Sequence, residues 1–496
     1  MPLVLGRGLP DKGPARLKLV LNSPARFLIL VLLAVVLRWS TFGDPDLAAD
    51  ETFYQTVGIA MHHGALPYVD VWDRKPLGLY ILYYLIAGIS ASPLAYQLAA
   101  TASAIATAAV IGRICRHWTG LQGALLAGCC YLVWLTPLFG FGGQSPVFYN
   151  LFIASAALLV LQALPLLEQG IPTWRVPLAM LLAGLGITIK TSALFEGVYF
   201  GLVSVYALSQ ARRGAAPVIR RAIGWALIGA APSLAIAAYY AISGHWAEFW
   251  HAMVTANLAK GADLLSARYR LLLLLSLLAP LLLVAATGLV QMERTRRWFV
   301  AGWLLTAIIG IGAIPNFYQH YALPLLVVLC VAAGPILNRG LFGLGVLALL
   351  TALSIHAATP FRFGQAARSK QVFAALARAI RAHDGERALL VYAGPAQLYT
   401  MTGHSFPTPL AFETHLSQAI EKDVSHLSTI GEMQRVIAAH PGAVVLPLRV
   451  RNGPVIPETW SLVSNYVRAN CHVITVQHAE DWLLADDLAV WGDCRP

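Results

Sequence analysis

The sequence predicts a polytopic α-helical membrane protein that ends in a small soluble α/β domain. Three observations carry this prediction. Hydrophobic residues make up 58% of the 496 residues and charged residues only 12%, about half the charged fraction of a typical soluble protein. Apolar runs of membrane-spanning length recur from Phe27 to Ala358. Beyond Ala358 the apolar runs shorten and acidic residues become more frequent.

The alternation of apolar runs and polar breaks predicts about eleven crossings. They lie at 27–42, 94–112, 121–138, 147–166, 177–189, 192–209, 222–243, 270–290, 298–314, 321–337 and 340–357. Lys190 divides one apolar stretch into two of these. Residues 77–90 are also apolar, but they are shorter than the roughly 20 residues that a span requires. We expect a helix in the membrane interface there.

The distribution of Arg and Lys predicts the orientation. Five basic residues precede the first span and no small-residue cleavage site follows it, so we expect this segment to stay uncleaved in the cytoplasm; they are Arg7, Lys12, Arg16, Lys18 and Arg26. Later basic breaks, such as Arg212–Arg213 and Arg296–Arg297, fit cytoplasmic loops. Loop 43–93 and the C-terminal domain then face outward from the cytoplasmic (inner) membrane. The net charge of +11 reflects this bias, and no nucleic-acid partner is expected.

The chain divides into a membrane domain, 1–358, and a soluble domain, 359–496. In the soluble part, helices are predicted at 369–383, 430–439 and 459–469, and strands at 388–392, 443–447 and 472–476. This alternation indicates an α/β domain, and its sequence contains no phosphate-binding glycine motif or metal-ligand spacing. Cys471 and Cys494 form a disulfide if the domain faces an oxidising compartment, and stay free thiols if it does not.

The most informative segment is loop 43–93. Two clusters of charged residues follow the first span there. The first contains Asp46, Asp50 and Glu51, followed by Tyr54; the second contains Asp70, Asp73, Arg74 and Lys75, between Tyr68 and Pro76. Charge at a membrane surface is costly unless water, ions or a charged substrate are present. The loop therefore marks a site of chemistry or of charged-ligand binding.

The order of these residues resembles that of the polyprenyl-phosphate-sugar-dependent glycosyltransferases of the GT-C fold. The bacterial relatives of protein O-mannosyltransferases and the lipid A aminoarabinose transferase are the most similar type. In that family an Asp-Glu pair, here Asp50–Glu51, opens the first outer loop and a Lys-Pro pair, here Lys75–Pro76, closes it. The segments 184–191 and 316–324 are similar too. The resemblance implies a polyprenyl-phosphate-linked sugar donor, membrane lipids as surroundings, and a glycan, lipid or protein acceptor.

The resemblance also implies roles for particular residues. Inverting transfer requires a carboxylate that accepts the proton of the attacking hydroxyl, and Asp50 takes this role. Lys75, with Arg74 as a second cation, is implied as the partner of the leaving lipid phosphate, and Glu51 as the residue that orients Asp50 or the acceptor. The alternative reading of Asp50–Glu51 is a helix N-cap with a first-turn acid.

Further residues are predicted to bind substrate, each with a structural alternative. They are Tyr54, Tyr68, Asp70, Asp73, Arg74, Gln144, Asn150, Lys190, Tyr318, His320 and Tyr321. Asp73 could instead pair with Lys75 or Arg74. Lys190 could extend to the outer headgroups, and His320 could be part of an interfacial aromatic belt.

No cofactor is expected to be required. Relatives often place another acid in the next outer loop, but residues 140–150 contain no Asp or Glu, and amides are poor ligands for a divalent metal. A divalent metal is therefore possible without support from the sequence. Two other function classes stay open: a lipid or polysaccharide transporter or flippase, and a non-catalytic glycan-assembly protein. A transporter would be expected to show two similar halves, which this sequence lacks.

Overall fold

A computed structural model describes residues 23–211, 214–259, 264–313, 316–358, 360–450, 453–479 and 487–495. The basic residues Arg7, Lys12, Arg16 and Lys18 and the break at Arg212–Arg213, on which part of the predicted orientation depends, lie outside these ranges. The described residues group into two compact units.

The first unit comprises Met1–Trp39, Ala99–Ile236 and Ala262–Phe361 and is helical. Among the described residues, eight helices are long and apolar enough to cross a membrane: Pro24–Thr41, Pro93–Cys115, Leu121–Leu138, Ser145–Glu168, Ala215–Ile242, Leu265–Gln291, Gln319–Leu337 and Gly340–Ala358. Shorter or more polar helices occupy Arg175–Ile189, Ala193–Ser209 and Arg294–Gly312. Each predicted crossing thus corresponds to a helix, and the chain is a multi-pass membrane protein.

Small residues let the helices of this unit approach closely. A Cβ atom on Gly184 would overlap with the carbonyl oxygen of Gly229, and one on Gly288 would overlap with that of Ala332. Lipid tails are as apolar as the helix surfaces, so association in a membrane depends on such close packing. The glycines therefore fix which helices lie side by side.

The second unit comprises Ser40–Leu98, Ala237–Gly261 and Arg362–Pro496. Its sheet has the order β1-β2-β4-β3, with β1 at Leu389–Val391, β2 at Ala443–Pro447, β3 at His472–His478 and β4 at Asp487–Gly492. The β1–β2 pair is parallel and the other two pairs are antiparallel. Helices Gln365–His383, Gln397–Thr402, Thr429–Ala438 and Pro457–Asn470 accompany the sheet. Cys471 and Cys494 are joined by a disulfide.

Three predicted helices and three predicted strands of the soluble domain are present, with ends shifted by a few residues. The sequence analysis missed β4 and the helix Gln397–Thr402. β4 is a short strand whose apolar residues follow a polar segment, so its pattern is weak. It becomes well buried because it lies between β2 and β3.

Loop 43–93 contributes two helices to the second unit. The first, Ala49–His62, is called the loop helix below; the second is Leu77–Ala87, which at 11 residues is short, as expected for a segment that does not cross the membrane. The two pack so closely that a Cβ on Gly58 would lie 2.7 Å from the carbonyl carbon of Tyr83. This contact fixes the position of the loop helix, which carries Asp50 and Glu51.

Candidate functional site

The loop helix places both acids of the Asp50–Glu51 pair in its first turn. Its N-cap position is held by Ala48, which makes no side-chain hydrogen bond. The alternative interpretation of Asp50–Glu51 is a helix N-cap with a first-turn acid. The first-turn acids are present, but neither residue is the N-cap. Glu51 is fully buried and lies within electrostatic reach of the hydroxyls of Tyr83 and Tyr96. Asp50 is partly exposed, with 24% of its side chain accessible.

Lys75 lies between two carboxylates. Its Nζ is 3.5 Å from Asp50 Oδ1 and 3.8 Å from Asp73 Oδ2, and it lies 5.3 Å from the ring centre of Tyr54. Tyr54 is one turn after Asp50 on the same face of the loop helix. The structure thus brings together four of the predicted site residues, and Lys75 remains a quarter exposed.

Asp73 is held by its own loop. Its Oδ1 accepts a hydrogen bond from the Arg74 backbone N–H at 2.6 Å, and its Oδ2 accepts one from Tyr80 Oη at 2.7 Å. Burial raises the pKa of Asp73, but Lys75, His415, the Tyr80 hydroxyl and Arg74 together outweigh burial, so the pKa lies below its usual value. Asp73 is therefore ionised at neutral pH and balances the charge of Lys75.

Tyr68 and Asp70 shape the loop around this cluster. Tyr68 is fully buried, has a positive φ of 71°, and donates a hydrogen bond from its hydroxyl to the carbonyl of Lys75 at 2.8 Å. The strained backbone is stabilised by ring contacts with Tyr240 and Phe249. Asp70 is exposed and accepts a hydrogen bond from Leu66 N. Tyr68 thus supports the backbone that carries Lys75, and Asp70 holds the turn that begins at Leu66.

The C-terminal part of the second unit is joined to loop 43–93 by polar contacts. Arg74 forms an ion pair with Glu421 at 2.5 Å, with both side chains about seven-eighths buried. The backbone N–H of Trp72 donates to the carbonyl of Pro409 at 2.8 Å, and the Trp72 ring lies edge-on to His415. Burial lowers the pKa of His415 to about 4, so this imidazole is neutral at pH 7 and charged only in the acid range, where Asp73 also titrates. The contacts of Arg74 with Glu421 and of Trp72 with Pro409 thus link the loop to the C-terminal part.

Glu413 is a site residue that the sequence analysis missed. It is only 4% exposed, and it lies within electrostatic reach of Asp50 and Asp46. The adjacent Phe412 packs on Phe53 of the loop helix with ring centres 4.8 Å apart. Burial, and then the charges of Asp50 and Asp46, hold the pKa of Glu413 well above its usual range. This environment therefore favours the protonated form of the Glu413 carboxyl group.

This raised pKa predicts a pH-dependent stability. The folded chain keeps the Glu413 proton at pH values where the unfolded chain loses it, so the free energy of unfolding falls as pH rises from about 4.5 through the folded-state pKa. Glu413→Gln stays neutral and removes this loss. We expect the apparent Tm of the variant to match the wild type near pH 5 and to exceed it by at least about 2 °C at pH 8, the shift that 1 kcal/mol produces in a domain of 150–250 residues.

Thermal unfolding of the purified protein in detergent, followed by tryptophan fluorescence, measures this difference. Glu458→Gln is the matched control, because Glu458 is exposed and pairs with Lys422 at 2.9 Å. A Tm difference for Glu413→Gln that is the same at pH 5 and pH 8 would show that Glu413 titrates normally.

A second cluster of predicted residues lies in the first unit. Lys190 follows the end of the helix Arg175–Ile189, and its ammonium lies 4.6 Å from the ring centre of Tyr321. Tyr321 packs on Tyr318 and on His320 with ring centres 5.5 and 4.7 Å apart. Arg270, which the sequence analysis missed, lies 4.2 Å from the ring centre of Tyr318. Two cations and three aromatic side chains are thus brought together.

Gln144 and Asn150 lie near the start of the helix Ser145–Glu168, and both are buried. The Asn150 amide donates hydrogen bonds to Tyr131 Oη at 3.3 Å and to the carbonyl of Leu323 at 3.0 Å. Asn150 thus links neighbouring helices.

A further acid of the first unit was also missed. Glu196 is 2% exposed and accepts a hydrogen bond from Trp303 Nε1 at 2.6 Å. Its signal in the sequence is a lone carboxylate within an apolar run, which is a functional candidate by default in a membrane protein. Across the described ranges, no three His, Cys, Asp or Glu side chains are grouped as a metal site.

No family model matches the chain, and no curated protein matches it. Among solved structures, that of ArnT from Cupriavidus metallidurans bound to undecaprenyl phosphate covers 98% of this chain and 100% of its own, with 12% identity and a TM-score of 0.61. The apo state of the same protein covers 97% of this chain and 100% of its own, with 13% identity and a TM-score of 0.60. The likeness confirms the predicted GT-C fold, a helical membrane domain with a C-terminal α/β domain.

Proposed function

We propose that this protein is a membrane glycosyltransferase that moves a sugar, a hexose or a pentose, from a polyprenyl-phosphate carrier to an acceptor hydroxyl with inversion. The observation that carries the proposal is the contact between Asp50 and Lys75, 3.5 Å apart and both partly exposed, on the loop after the first membrane helix. The fold it shares with ArnT, solved with undecaprenyl phosphate bound, supports the class of donor.

The two charges match the two needs of the reaction. The acceptor hydroxyl attacks the anomeric carbon while Asp50 takes its proton, and the bond between that carbon and the phosphate oxygen breaks with its electron pair staying on the lipid phosphate. No general acid is needed, because phosphate is a good leaving group. Lys75 stabilises the charge that develops on the phosphate. Asp73 and Tyr54 hold Lys75 in place before the donor arrives.

Neighbouring side chains hold Asp50 and Lys75 in position. Tyr68 holds the backbone of Lys75, and the Arg74–Glu421 ion pair anchors the adjacent residue. We also propose that donor or acceptor is held by Gln144 and Asn150, and by the cluster of Lys190 with Tyr318, His320 and Tyr321. We further propose that Lys75 supplies the cation at the phosphate and that no divalent metal is required. Sugar transfer should therefore persist in excess EDTA.

The decisive experiment reconstitutes the purified chain in proteoliposomes with a panel of polyprenyl-phosphate sugars and candidate glycan, lipid and protein acceptors. Mass spectrometry of the products should show one acceptor gaining a single sugar while free polyprenyl phosphate accumulates. Movement of the donor lipid across the bilayer without any new glycoside would instead support a flippase and overturn the proposal.

We also propose that the protein lies in the inner membrane with its N-terminus in the cytoplasm and the domain 359–496 outside. Reporter fusions after Arg297 should behave as cytoplasmic, and fusions within residues 360–450 as extracytoplasmic. The disulfide Cys471–Cys494 supports this orientation, because disulfides persist outside the reducing cytoplasm. A cytoplasmic reporter signal from the C-terminal domain would contradict it.

A further inference from the structure

The second unit contains a cavity of about 200 Å³ on the loop helix. Thr52, Gln55 and Thr56 of that helix form one wall, and Lys370, Gln397 and Thr400 of the C-terminal part form another. None of these six residues was singled out by the sequence analysis, and none takes part in the proposed transfer reaction.

The cavity lies on the opposite side of the loop helix from the Asp50–Lys75 pair. At about 3.6 residues per turn, Asp50 and Tyr54 share one face. Thr52, Thr56 and the intervening Gln55 project from the other side. The cavity is therefore distinct from the space in which Asp50 and Lys75 would act, although one rigid helix carries both.

The polar groups of the cavity wall are mainly hydrogen-bond acceptors. The Gln397 side-chain N–H₂ donates to the carbonyl of Pro45 at 3.0 Å, which fixes the amide. Gln397 is only 7% exposed, and its Oε1 has no hydrogen-bond partner among the described residues. The hydroxyls of Thr52 and Thr56 donate to backbone carbonyls of their own helix, which leaves their oxygen lone pairs available.

A buried carbonyl oxygen without a partner costs free energy unless a ligand or water satisfies it. A ligand in the cavity that donates a hydrogen bond would satisfy Gln397 Oε1.

The cavity also has one cation. The ammonium of Lys370 lies against Gly43, so close that a Cβ on Gly43 would be 2.7 Å from Nζ. Gly43 has a φ of +76°, a conformation that favours glycine. Glycine at this position thus leaves room for the ammonium at the edge of the cavity. Apolar side chains, Ile59, Phe373 and Met401, complete the lining.

We propose that this cavity binds one anionic sugar unit of the acceptor glycan. Sugar hydroxyls would donate to Gln397 Oε1 and to the threonine oxygens, the apolar lining would cover a C–H face, and Lys370 would pair with a carboxylate or phosphate on the sugar. The cavity volume of about 200 Å³ lies below the roughly 300–1,000 Å³ of pockets for drug-sized ligands, so it suits a single ring and not an extended oligosaccharide.

This assignment rests on the proposed function and names a subsite for it. A glycan held on one side of the loop helix would be tethered next to the base on the other side. Binding at this cavity requires no turnover, so it can be measured separately from sugar transfer.

Four probes test the site with the full-length protein in nanodiscs, by saturation-transfer NMR and calorimetry: glucuronate, glucose 6-phosphate, glucose and inorganic phosphate. We expect the two charged sugars to bind more tightly than glucose or phosphate alone, and the stronger of them identifies the anionic group. Lys370→Ala should weaken the charged sugars by about tenfold or more, the scale of one charge-assisted hydrogen bond. Gln397→Met should weaken all three sugars.

Lys422→Ala is the matched control, because Lys422 is a lysine of the same domain that pairs with Glu458 at 2.9 Å. Binding should be unchanged in this variant. Equal binding of charged sugars by wild type and Lys370→Ala would overturn the proposal. So would inorganic phosphate that binds as tightly as glucose 6-phosphate, since the site would then recognise an anion and not a sugar.

The Asp50→Asn variant separates this inference from the proposed function. It should bind the charged sugars as the wild type does. If the reconstituted enzyme transfers no sugar but Lys370-dependent binding is present, the proposed function fails and the sugar site stands. If transfer proceeds and no charged sugar binds at this cavity, the site fails and the proposed function stands.

Discussion

Asp50→Asn should reduce sugar transfer by at least about a hundredfold, the usual contribution of a positioned general base. Asparagine has nearly the shape of aspartate but cannot take the proton of the acceptor hydroxyl. Asp50 is partly exposed and lies in the first turn of the loop helix, so its loss should cost little stability. We therefore expect a folded protein that binds the donor lipid and does not turn it over.

The measurement is the initial rate of product formation in proteoliposomes, together with donor binding and thermal stability of the same preparations. Asp493→Asn is a matched control, because Asp493 is an exposed carboxylate of the same unit, paired with His383. It should leave the rate unchanged. Turnover of Asp50→Asn within a fewfold of the wild type would remove Asp50 from the role of base.

The second large effect is expected at Lys75. Charge on the lipid phosphate grows as the glycosidic bond breaks, so an ammonium beside it contributes more in the transition state than in the bound donor complex. Lys75→Ala should therefore lower kcat by about a hundredfold or more while raising the donor KM much less. Lys75→Arg should recover only part of the rate, because a guanidinium is larger and spreads its charge.

Lys75→Ala should also change how Asp73 titrates. Lys75 is the strongest of the groups that lower the pKa of Asp73 against the effect of its burial. Without Lys75 the pKa of Asp73 should rise, because burial is then opposed only by the remaining groups. For the kinetic prediction, a Lys75→Ala protein in which only the apparent donor affinity changes would identify Lys75 as an anchor and not as an electrophilic catalyst.

The membrane helices and the core of the site could be predicted from the sequence because their signals are local. Apolar runs of sufficient length predict helices whatever they pack against, and Asp50 and Lys75 stand in short charged motifs on one loop. Asp50, Lys75, Asp73 and Tyr54 then meet because that loop folds back on itself within about 25 residues.

The rest of the site depends on contacts between distant parts of the chain. Glu413 and Glu421 are more than 300 residues from loop 43–93 and look like ordinary acids of a soluble domain. Arg270 lies at the start of a span and resembles an interfacial arginine. Contacts between distant residues, such as Trp72 with His415 and Phe53 with Phe412, show that the C-terminal part and the loop belong to one unit.

The ion pair between Arg74 and Glu421 has a consequence for the biosynthesis of the protein. Loop 43–93 leaves the ribosome long before its partner residues in the C-terminal part are made. At roughly 5–20 residues per second, the loop waits on the order of tens of seconds for Glu421, Pro409 and His415 to be synthesised. The contacts that hold Trp72 and Arg74 in place are thus completed only late in translation, so a chain interrupted before this point would insert its helices and leave the loop unanchored.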